Sequence, residues 1–414
     1  MTRQMKDSGV EWIGEVPESW KLVSVRQLFN IGRGRVIATT ELEDSGYPVY
    51  SSQTKNNGIL GYIKTYDFDF TQLTWTTDGV NAGTVFLREG KHNCTNVCGT
   101  LKPKRKDVFL PYMKHALGHI AFYNKRIDIN GAKIMNNEMA AIITVMPPLT
   151  EQQKIAAFLD EKCGAIDEII VKTEQSIEEY KKLKQSVITE AVTKGIRPNR
   201  KMKDSGIAWI GEIPENYSLI SLKYVAENNK ETLPETTDPL YEFDYIDIGS
   251  VTYGKGIENV QTMKFKDAPS RARRVVYKDD VILSTVRTYL KATAQIMERS
   301  NPVIVSTGFI TLTAIKNKIS PAYLKYAIQL DAFISEVESK SEGISYPAIN
   351  STEVVMIKVI VPPLSEQEEI ADYLDKKCAE IDVLIGKKQQ FLTELATYKK
   401  SLIYEYVTGK KEVV

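Results

Sequence analysis

The amino-acid sequence predicts an α+β protein in which two globular α/β domains are separated by two long helices forming an antiparallel coiled coil, with a pseudo-twofold internal repeat. Three observations predict this class. Two sequence blocks each occur twice, the second block has a helical pattern, and the stretches between the blocks contain short β-rich runs. The predicted parts are a domain at 1–146, a helix at 147–194, a domain at 195–361 and a helix at 362–414.

The internal repeat is evident from direct alignment. Residues 5–26 match residues 202–223 at 13 of 22 positions. Residues 147–193 match residues 362–408 at 23 of 47 positions. A solenoid would repeat a much shorter unit many times. The order of blocks therefore indicates that one unit was duplicated and that the regions between the blocks then diverged.

The second block is predicted to be a helix of about forty residues in each copy. Thr150 with Gln153, and Ser365 with Glu368, form capping boxes directly after a Pro-Pro pair. Apolar residues then recur about every 3.5 residues, so each helix has one apolar seam that needs a partner, and the other copy is the obvious one. The residues predicted to pack the helices together are Leu159, Ile166, Ile170, Ile177, Tyr180, Val187, Leu374, Ile381, Ile385, Leu392, Leu395 and Leu402, with Leu183 and Tyr398 continuing the spacing.

The two regions between the blocks, 27–146 and 224–361, are called the first and second variable regions, because they show no comparable similarity to each other. Both contain short runs of β-branched and aromatic residues separated by Gly, Asn and Asp turn signals. Short helices are predicted near 111–122 and 321–337. Each variable region is therefore predicted to be a mixed α/β domain.

The composition is that of an ordinary globular protein. Lys and Arg number 54 and Asp and Glu number 53, a balance that argues weakly against a protein acting alone on nucleic acid. Four cysteines in 414 residues indicate a reducing compartment, so a cytoplasmic location is expected. The N-terminus has no apolar run and no stretch approaches 18 apolar residues, so neither a signal peptide nor a membrane span is expected.

The repeated motifs resemble those of the specificity subunits of type I restriction–modification enzymes. The resemblance rests on P-P-L-[ST]-E-Q…I-A…L-D at 147–160 and 362–375, and on W-I-G-E-[VI]-P at 12–17 and 209–214. It covers essentially the whole chain. It implies two target recognition domains, each binding one half of an interrupted, asymmetric sequence in double-stranded DNA, with the helices setting the spacer between the half-sites.

The resemblance also implies partners. Two modification (methyltransferase) subunits would dock on the helices and methylate an adenine in each half-site with S-adenosylmethionine. Restriction subunits would add translocation and cleavage that depend on ATP and Mg, as part of phage defence. The present chain would then be a non-catalytic subunit that binds no cofactor of its own.

Candidate DNA-binding residues are cations, which neutralise phosphates, and polar loop residues, since Arg pairs with guanine and Asn or Gln with adenine. In the first variable region they are Arg33, Arg35, Gln53, Asn56, Asn57, Asp78, Asn81, Lys102, Lys104, Arg105 and Lys106. In the second they are Arg271, Arg273, Arg274, Lys278, Arg287, Lys291, Ser345 and Tyr346. For each residue taken singly, an ordinary solvated loop position is the alternative.

Signals for catalysis or metal binding are weak. The chain has no [ND]-P-P-[YF] methyltransferase motif, no phosphate-binding loop and only three histidines. Cys94, Cys98, His115 and His119 loosely resemble a Cys2His2 zinc site, but the second variable region has no equivalent, so no metal is predicted. Cys163 and Cys378, at matching helix positions, are predicted to be small packing residues.

Two other classes of protein fit part of the pattern. A bivalent coiled-coil adaptor for proteins would have the same two-domain shape but no salt-dependent DNA binding, even with its partners present. An enzyme in its own right would bind a cofactor as an isolated chain.

Overall fold

The computed structural model describes residues 3–129, 131–207 and 210–413. Contacts divide the chain into one unit formed by Met1–Glu174 with Gln389–Val414 and a second unit formed by Gln175–Lys388. Each unit contains one variable region and part of each long helix. The predicted α+β class with an internal repeat is confirmed. Trp209, which belongs to the second copy of the W-I-G-E motif, lies outside the described residues.

The first unit is built mainly from short strands. They are β1 (Met5–Asp7), β2 (Glu15–Pro17), β3 (Lys21–Ser24), β4 (Phe29–Arg33), β5 (Tyr47–Tyr50), β6 (Ile59–Ile63), β7 (Phe68–Asp69), β8 (Gln72–Thr76), β9 (Val85–Arg88), β10 (Lys91–Cys94), β11 (Cys98–Pro103), β12 (Arg126–Asp128), β13 (Gly131–Lys133) and β14 (Ile143–Met146). Its helices are α1 (Val25–Leu28), α2 (Leu110–Asn124), α3 (Asn136–Ala141) and the first part of α4 (Leu149–Lys194). Two four-stranded sheets have the orders β6-β5-β10-β7 and β4-β11-β8-β9.

Helix α2 covers the second of these sheets. Leu73 and Trp75 of β8 point toward it and join Tyr112 and Leu117 in one buried apolar cluster. The Trp75 indole lies across Gly99 of β11, where an added Cβ would come within 2.1 Å of the ring. A glycine is therefore required at this crossing, since any side chain would displace the indole from the core.

The second unit repeats this plan. Its strands are β15 (Met202–Asp204), β16 (Glu212–Pro214), β17 (Ser218–Ser221), β18 (Ala226–Asn228), β19 (Glu242–Ile246), β20 (Val251–Thr252), β21 (Gly256–Ile257), β22 (Gln261–Lys264), β23 (Ala272–Val276), β24 (Val281–Ser284), β25 (Thr293–Gln295), β26 (Val303–Ser306), β27 (Phe309–Ala314) and β28 (Lys358–Val361). Its helices are α5 (Pro321–Gln329), α6 (Asp331–Ser339), α7 (Ser351–Val354) and the first part of α8 (Leu364–Val407). The sheets have the orders β22-β19-β26-β23 and β18-β27-β24-β25.

The two variable regions therefore share a fold that their sequences do not reveal. In both, one sheet contains a parallel pair, β5 with β10 and β19 with β26. In both, a buried tyrosine of the shorter helix (α2 or α5) donates a hydrogen bond to a backbone carbonyl of the strand (β14 or β28) that directly precedes the long helix. Tyr112 Oη donates to Val145 O at 3.2 Å, and Tyr323 Oη donates to Ile360 O at 3.0 Å. Duplication thus extends through the diverged regions.

The P-P-L-[ST]-E-Q motif forms the junction between each variable region and its long helix. The predicted capping boxes are wrong, because α4 and α8 begin at Leu149 and Leu364, before Thr150 and Ser365. The N–H groups of Glu151 and Gln152 donate to Pro148 O instead. Backbone hydrogen bonds to the proline carbonyl therefore start the helix.

The glutamine of the motif holds the loop before the shorter helix. The Phe109 N–H donates to Gln152 Oε1 at 2.9 Å, and Gln152 Nε2 donates to Pro147 O at 2.9 Å. In the second copy the Ser320 N–H donates to Gln367 Oε1 at 2.7 Å. The oxygen and the nitrogen of these buried side-chain amides both have hydrogen-bond partners. A buried polar group stabilises the fold only when it is paired in this way.

The glutamate of the motif holds the repeated N-terminal block. Trp20 Nε1 donates to Glu151 Oε2 at 2.8 Å, and Tyr217 Oη donates to Glu366 Oε1 at 2.6 Å. Arg200 also pairs with Glu366. Burial raises the pKa of Glu366, but the hydrogen bonds from Arg200 and Tyr217 outweigh it, so its pKa lies below the ordinary value.

The predicted seam residues lie on the inner faces of the helices. Leu159, Ile166, Ile177, Leu374, Ile381 and Leu402 are buried, and Ile170, Tyr180, Val187, Ile385, Leu392 and Leu395 are partly buried. Leu183 and Tyr398, by contrast, are 48% and 57% exposed. Cys163 and Cys378 are buried free thiols within the apolar clusters.

The two helices run antiparallel within each unit. In the first unit Phe158 packs on Tyr406 and Asp167 pairs with Lys399. In the second, Lys184 pairs with Asp382, and Lys388 lies over the ring of Tyr180. No helix among the described residues is long and apolar enough to cross a membrane.

Two ion pairs on these helices are equivalent in the repeat but differ in surroundings. Lys399 Nζ lies 2.5 Å from Asp167 Oδ1, and Lys184 Nζ lies 2.7 Å from Asp382 Oδ2. Lys184 is the more buried lysine and also donates to Gly254 O at 2.8 Å, in the turn between β20 and β21. Lys184 therefore ties the second variable region to the helix, which its counterpart does not do.

This difference predicts unequal effects of removing the two lysines. Lys184→Met leaves a carbonyl and a carboxylate without their donor, so it should lower the free energy of unfolding by about 1–3 kcal/mol. Lys399→Met breaks a mostly solvated pair and should cost about 1 kcal/mol or less. Urea unfolding of the two variants measures both values. Equal losses would show that the Gly254 contact contributes nothing.

Candidate DNA interface

In the first unit, several loops converge at the end of the sheets where β5, β8 and β10 finish. The Thr95 N–H donates to Tyr50 O at 2.8 Å, and the Thr77 N–H donates to Val97 O at 3.0 Å. The Ile134 N–H in turn donates to Thr77 O at 2.8 Å. The first loop edge is defined as residues 33–36, 51–58, 77–83 and 95–97 with the hairpin residues 126–129 and 131–133.

Several of the predicted residues meet at the first loop edge. The guanidinium of Arg33 donates to Asn96 O and, at 3.4 Å, to Thr77 Oγ1. Asp78 is bridged through its backbone to Lys133 of the hairpin. Asn81 O accepts from Thr84 Oγ1 at 2.8 Å, and Gln53 Nε2 donates to Ile59 O. These bonds hold the backbone of the loops and position a rim of polar groups.

Asn56 and Asn57 form the tip of one of these loops. Both are exposed and both have left-handed backbones, with φ of 49° and 51°. Two successive non-glycine residues in this region cost free energy, even though asparagine tolerates it best. Such strain persists where the surroundings impose it, and it is concentrated at functional sites.

Other predicted cations of the first variable region lie elsewhere or are already paired. Lys102 lies near the end of β11 that is farther from the loop edge. Lys104 Nζ donates to Arg26 O at 2.8 Å near α1. Arg105 pairs with Asp107. Lys106 follows in the same exposed turn. Arg35, although at the edge, pairs with Asp67 at 3.1 Å. The Lys102–Lys106 cluster is therefore at the opposite end of β11 from the loops.

The second unit has the equivalent convergence of loops. The Thr285 N–H donates to Gly308 O at 2.8 Å, and the Ile349 N–H donates to Thr285 O at 2.9 Å. Thr288 Oγ1 donates to Ser341 Oγ at 2.9 Å. The second loop edge is defined as residues 247–250, 271, 285–291, 307–308 and 340–348.

Arg287 and Lys291 are two cations in the loop 285–291 of the second loop edge. Both have left-handed backbones, with φ of 50° and 51°, which is uncommon for long side chains. The guanidinium of Arg287 lies 5.0 Å from the centre of the Tyr346 ring. Tyr346 and its neighbour Ser345 are exposed in the loop 340–348. The second edge thus presents an arginine supported by an aromatic ring.

The four cations Arg271, Arg273, Arg274 and Lys278 do not lie together on one surface. The Arg271 carbonyl accepts from the Thr307 N–H at 2.9 Å, which places this exposed residue at the second loop edge. Arg273 packs over Phe265 at 4.7 Å, and Lys278 pairs with Glu298 at 2.9 Å. Arg274 is partly buried, burial lowers its pKa, and its Nε has no acceptor among the described residues. Of the four, Arg271 is the one positioned with the loops.

Both loop edges also present exposed apolar side chains that are not among the residues predicted from the sequence. Val80 and Ile129 are 94% and 101% exposed at the first edge, and Ile344 is 102% exposed at the second. Val80 and Ile344 each follow a glycine in a turn (Gly79 and Gly343), and this pattern could have predicted that they are exposed. Apolar contacts of this kind recognise the methyl group of thymine.

The cysteines and histidines of the first variable region do not assemble into a metal site. Burial raises the pKa of the Cys98 thiol to about 11. His115 Nε2 donates to Asp160 Oδ1 at 2.8 Å, and burial lowers the pKa of His115. His92 Nε2 lies 2.9 Å from Gln72 Nε2. The described residues contain no group of three or more His, Cys, Asp and Glu side chains that could hold a metal ion.

Comparisons with known proteins match both repeats of the chain to one protein family. Residues 17–179 and 214–393 match the family model of the type I restriction modification DNA specificity domain. A putative type I specificity subunit of Mycoplasma pneumoniae, S.MpnORF289P N-terminus, is 39% identical over 144 residues, which are 34% of this chain and 76% of that protein. The type I restriction enzyme MjaVIII specificity subunit of Methanocaldococcus jannaschii is 25% identical over 416 residues, covering 96% and 94% of the two chains.

A solved structure has the same fold over 95% of this chain. A chain from a study of complex assembly and conformational transition of the type I R-M system superposes with a TM-score of 0.65, covering 95% of this chain and 98% of that one, at 14% identity. The family model covers each repeat separately, as the duplicated fold requires. The assignment from the repeated motifs is confirmed: the chain belongs to the type I restriction–modification DNA specificity family and is the non-catalytic DNA specificity subunit of such a system.

Proposed function

We propose that each loop edge binds one half of an interrupted, asymmetric DNA target. The observation that carries this proposal is one fold used twice with different chemistry at the equivalent edge. The first edge presents the amides of Asn56 and Asn57, whereas the second presents the cations Arg287 and Lys291. Because amides pair with adenine and guanidinium with guanine, the two edges would select different base pairs in the major groove.

Phosphate contacts are proposed for cations at the margins of the edges. Arg33 and Arg271 are exposed and adjoin the loops. Lys102, Lys104, Arg105 and Lys106 lie at the far end of β11, so no base contact is proposed for them. The first variable region carries 14 basic and 10 acidic residues, and the second carries 16 basic and 17 acidic residues. So small an excess cannot give strong binding by charge alone, and we propose that partner subunits supply much of the phosphate clamping.

The long helices are proposed to set the spacer and to dock two methyltransferase subunits. At about 1.5 Å per residue, the 46 residues of α4 extend for about 69 Å. Exposed apolar side chains such as Val171 and Val383, which are 50% and 57% exposed, are suited to partner contacts. In this proposal the methyltransferase subunits use S-adenosylmethionine, restriction subunits use ATP and Mg, and the complex acts in the cytoplasm.

The test is single-molecule methylation sequencing of cells that express the methyltransferase subunits with and without this chain. We expect methylated adenines in both halves of one interrupted motif, and we expect them to disappear when this chain is absent. Methylation that persists without the chain, or a single uninterrupted motif, would contradict the proposal. The chain with the first variable region deleted serves as a control that retains the helices.

A further inference from the structure

Arg88, at the end of β9, is a buried arginine without an acidic partner. It is 1% exposed, and its pKa is lowered because burial disfavours the charged form. Its Nε donates to Thr74 Oγ1 at 3.1 Å and its Nη1 donates to Asn57 O at 2.8 Å. Among the described residues, Nη2 has no acceptor and no carboxylate forms an ion pair with the guanidinium. Removing a cation from water in this way is costly.

Aromatic rings supply part of the compensation. The guanidinium carbon of Arg88 lies 3.5 Å from the centre of the Tyr50 ring and 4.3 Å from that of Phe86. Planar guanidinium groups stack on rings in this manner and gain cation–π attraction. The stack holds the plane of the guanidinium in one orientation, so the direction of its Nη1–H bond is set as well.

The fold does not need an arginine at this position. Arg88 pairs across the sheet with Gln72, four residues before Thr76. In the second unit the residue with the equivalent pairing is Ile296, whose N–H donates to Asp280 O at 2.8 Å, four residues before Ser284. Ile296 is 1% exposed and lies in an apolar cluster. A well-packed aliphatic side chain therefore satisfies this position in the same fold, so the buried charge in the first unit needs a local reason.

The local reason is the loop above the guanidinium. Asn57 O, which accepts from Arg88, belongs to the second of the two left-handed residues, and Gly58 follows with φ of 78°. A Cβ at Gly58 would lie 2.9 Å from Arg88 Nη2, so the loop closes directly over the arginine. The Ser51 N–H donates to Gly58 O at 3.0 Å and closes the base of the loop. The strained tip is thus held from below by one charged hydrogen bond.

We propose that Arg88 is a positioning residue that holds residues 55–58 in the strained shape in which the Asn56 and Asn57 amides can pair with an adenine of the first half-site. This inference rests on the proposed function, because it assigns a base class to the first loop edge. A preformed loop does not have to become ordered when DNA binds, which favours both affinity and discrimination. Without Arg88 the loop can relax to ordinary backbone angles and withdraw the amides.

The experiment compares four variants of the full chain, assembled with the methyltransferase subunits, by methylation sequencing and thermal unfolding. Arg88→Met should reduce methylation of the wild-type target at least tenfold, or admit other bases at one position of the first half-site, with the bases required in the second half-site unchanged. Arg88→Lys should restore part of the discrimination. Asn57→Gly keeps the carbonyl and suits the left-handed backbone, so it should unfold no earlier than the wild type yet show the same loss. Ile296→Met is the matched control, for which both half-sites should stay unchanged.

The outcomes separate this inference from the proposed function. If wild-type chain directs methylation of an interrupted motif and the Arg88 and Asn57 variants direct it equally well, the positioning role is wrong and the proposed function stands. If wild-type chain directs no such methylation, the proposed function itself fails. Should Arg88→Met not fold, Arg88→Lys and Asn57→Gly decide the question, because loss of discrimination in a chain of wild-type stability cannot come from a structural defect.

Discussion

Replacing Arg287 with glycine should reduce methylation of targets with the wild-type second half-site by a factor of about 5 to 150, while the thermal midpoint of unfolding stays at or above that of the wild type. The factor corresponds to the loss of one bidentate arginine–guanine contact, about 1–3 kcal/mol. The stability expectation follows from the backbone. Arg287 is exposed with φ of 50° and ψ of 50°, a conformation that glycine adopts without strain.

A second left-handed residue provides the matched control. Asn317 is exposed with φ of 63° in the turn after β27, at the opposite end of that strand from the second loop edge. Asn317→Gly should relieve strain in the same way and leave methylation of both half-sites unchanged. Methylation at the wild-type rate by the Arg287→Gly variant would remove Arg287 from the set of base-reading residues. Failure of the variant to co-purify with the methyltransferase subunits would instead show a defect in assembly.

Inserting one helical turn into both long helices should lengthen the spacer and leave both half-sites unchanged. Four residues placed after Glu174 in α4 and after Phe391 in α8 add about 6 Å, which corresponds to one or two base pairs of DNA at about 3.4 Å each. A four-residue insertion is close to the 3.5-residue repeat of the seam, so the apolar stripe continues after slight local unwinding. Methylation sequencing measures the new spacer directly.

Insertion into α4 alone is the informative control. The Asp167–Lys399 and Lys184–Asp382 pairs lie on either side of the insertion and depend on one register between the helices. With only one helix lengthened, the two pairs cannot form at the same time. Methylation should therefore be lost, and no target with a different spacer should be methylated instead. If the double insertion changed the bases within either half-site, the role of the helices in setting the spacer would be wrong.

The helices were the most predictable part of this protein. A 3.5-residue apolar period sustained over some forty residues specifies a paired helix with little dependence on the rest of the fold. The predicted start of each helix is wrong, because the first N–H groups bond the carbonyl of Pro148 or Pro363 and the helix begins before Thr150 or Ser365.

The candidate interface was predictable only in part. The sequence predicts Asn56, Asn57 and Arg287 as polar loop residues and Lys291 as part of a basic cluster, and the structure adds that all four have left-handed backbones. Lys102–Lys106 formed an equally good sequence cluster but lies at the other end of β11. Charge density along a chain does not reveal which end of a strand a turn occupies, since that depends on the pairing of strands far apart in sequence.

Local pattern was sufficient to establish a duplicated chain, two seam-bearing helices and membership in a DNA specificity family, because motifs and helical periods are encoded by neighbouring residues. The common fold of the two variable regions emerged only in three dimensions, since strand pairing and core packing tolerate nearly complete replacement of sequence. The same long-range packing placed Arg88 beneath Asn57 and Lys184 against Gly254. Such contacts join residues separated by 31 and 70 positions, and no local pattern encodes them.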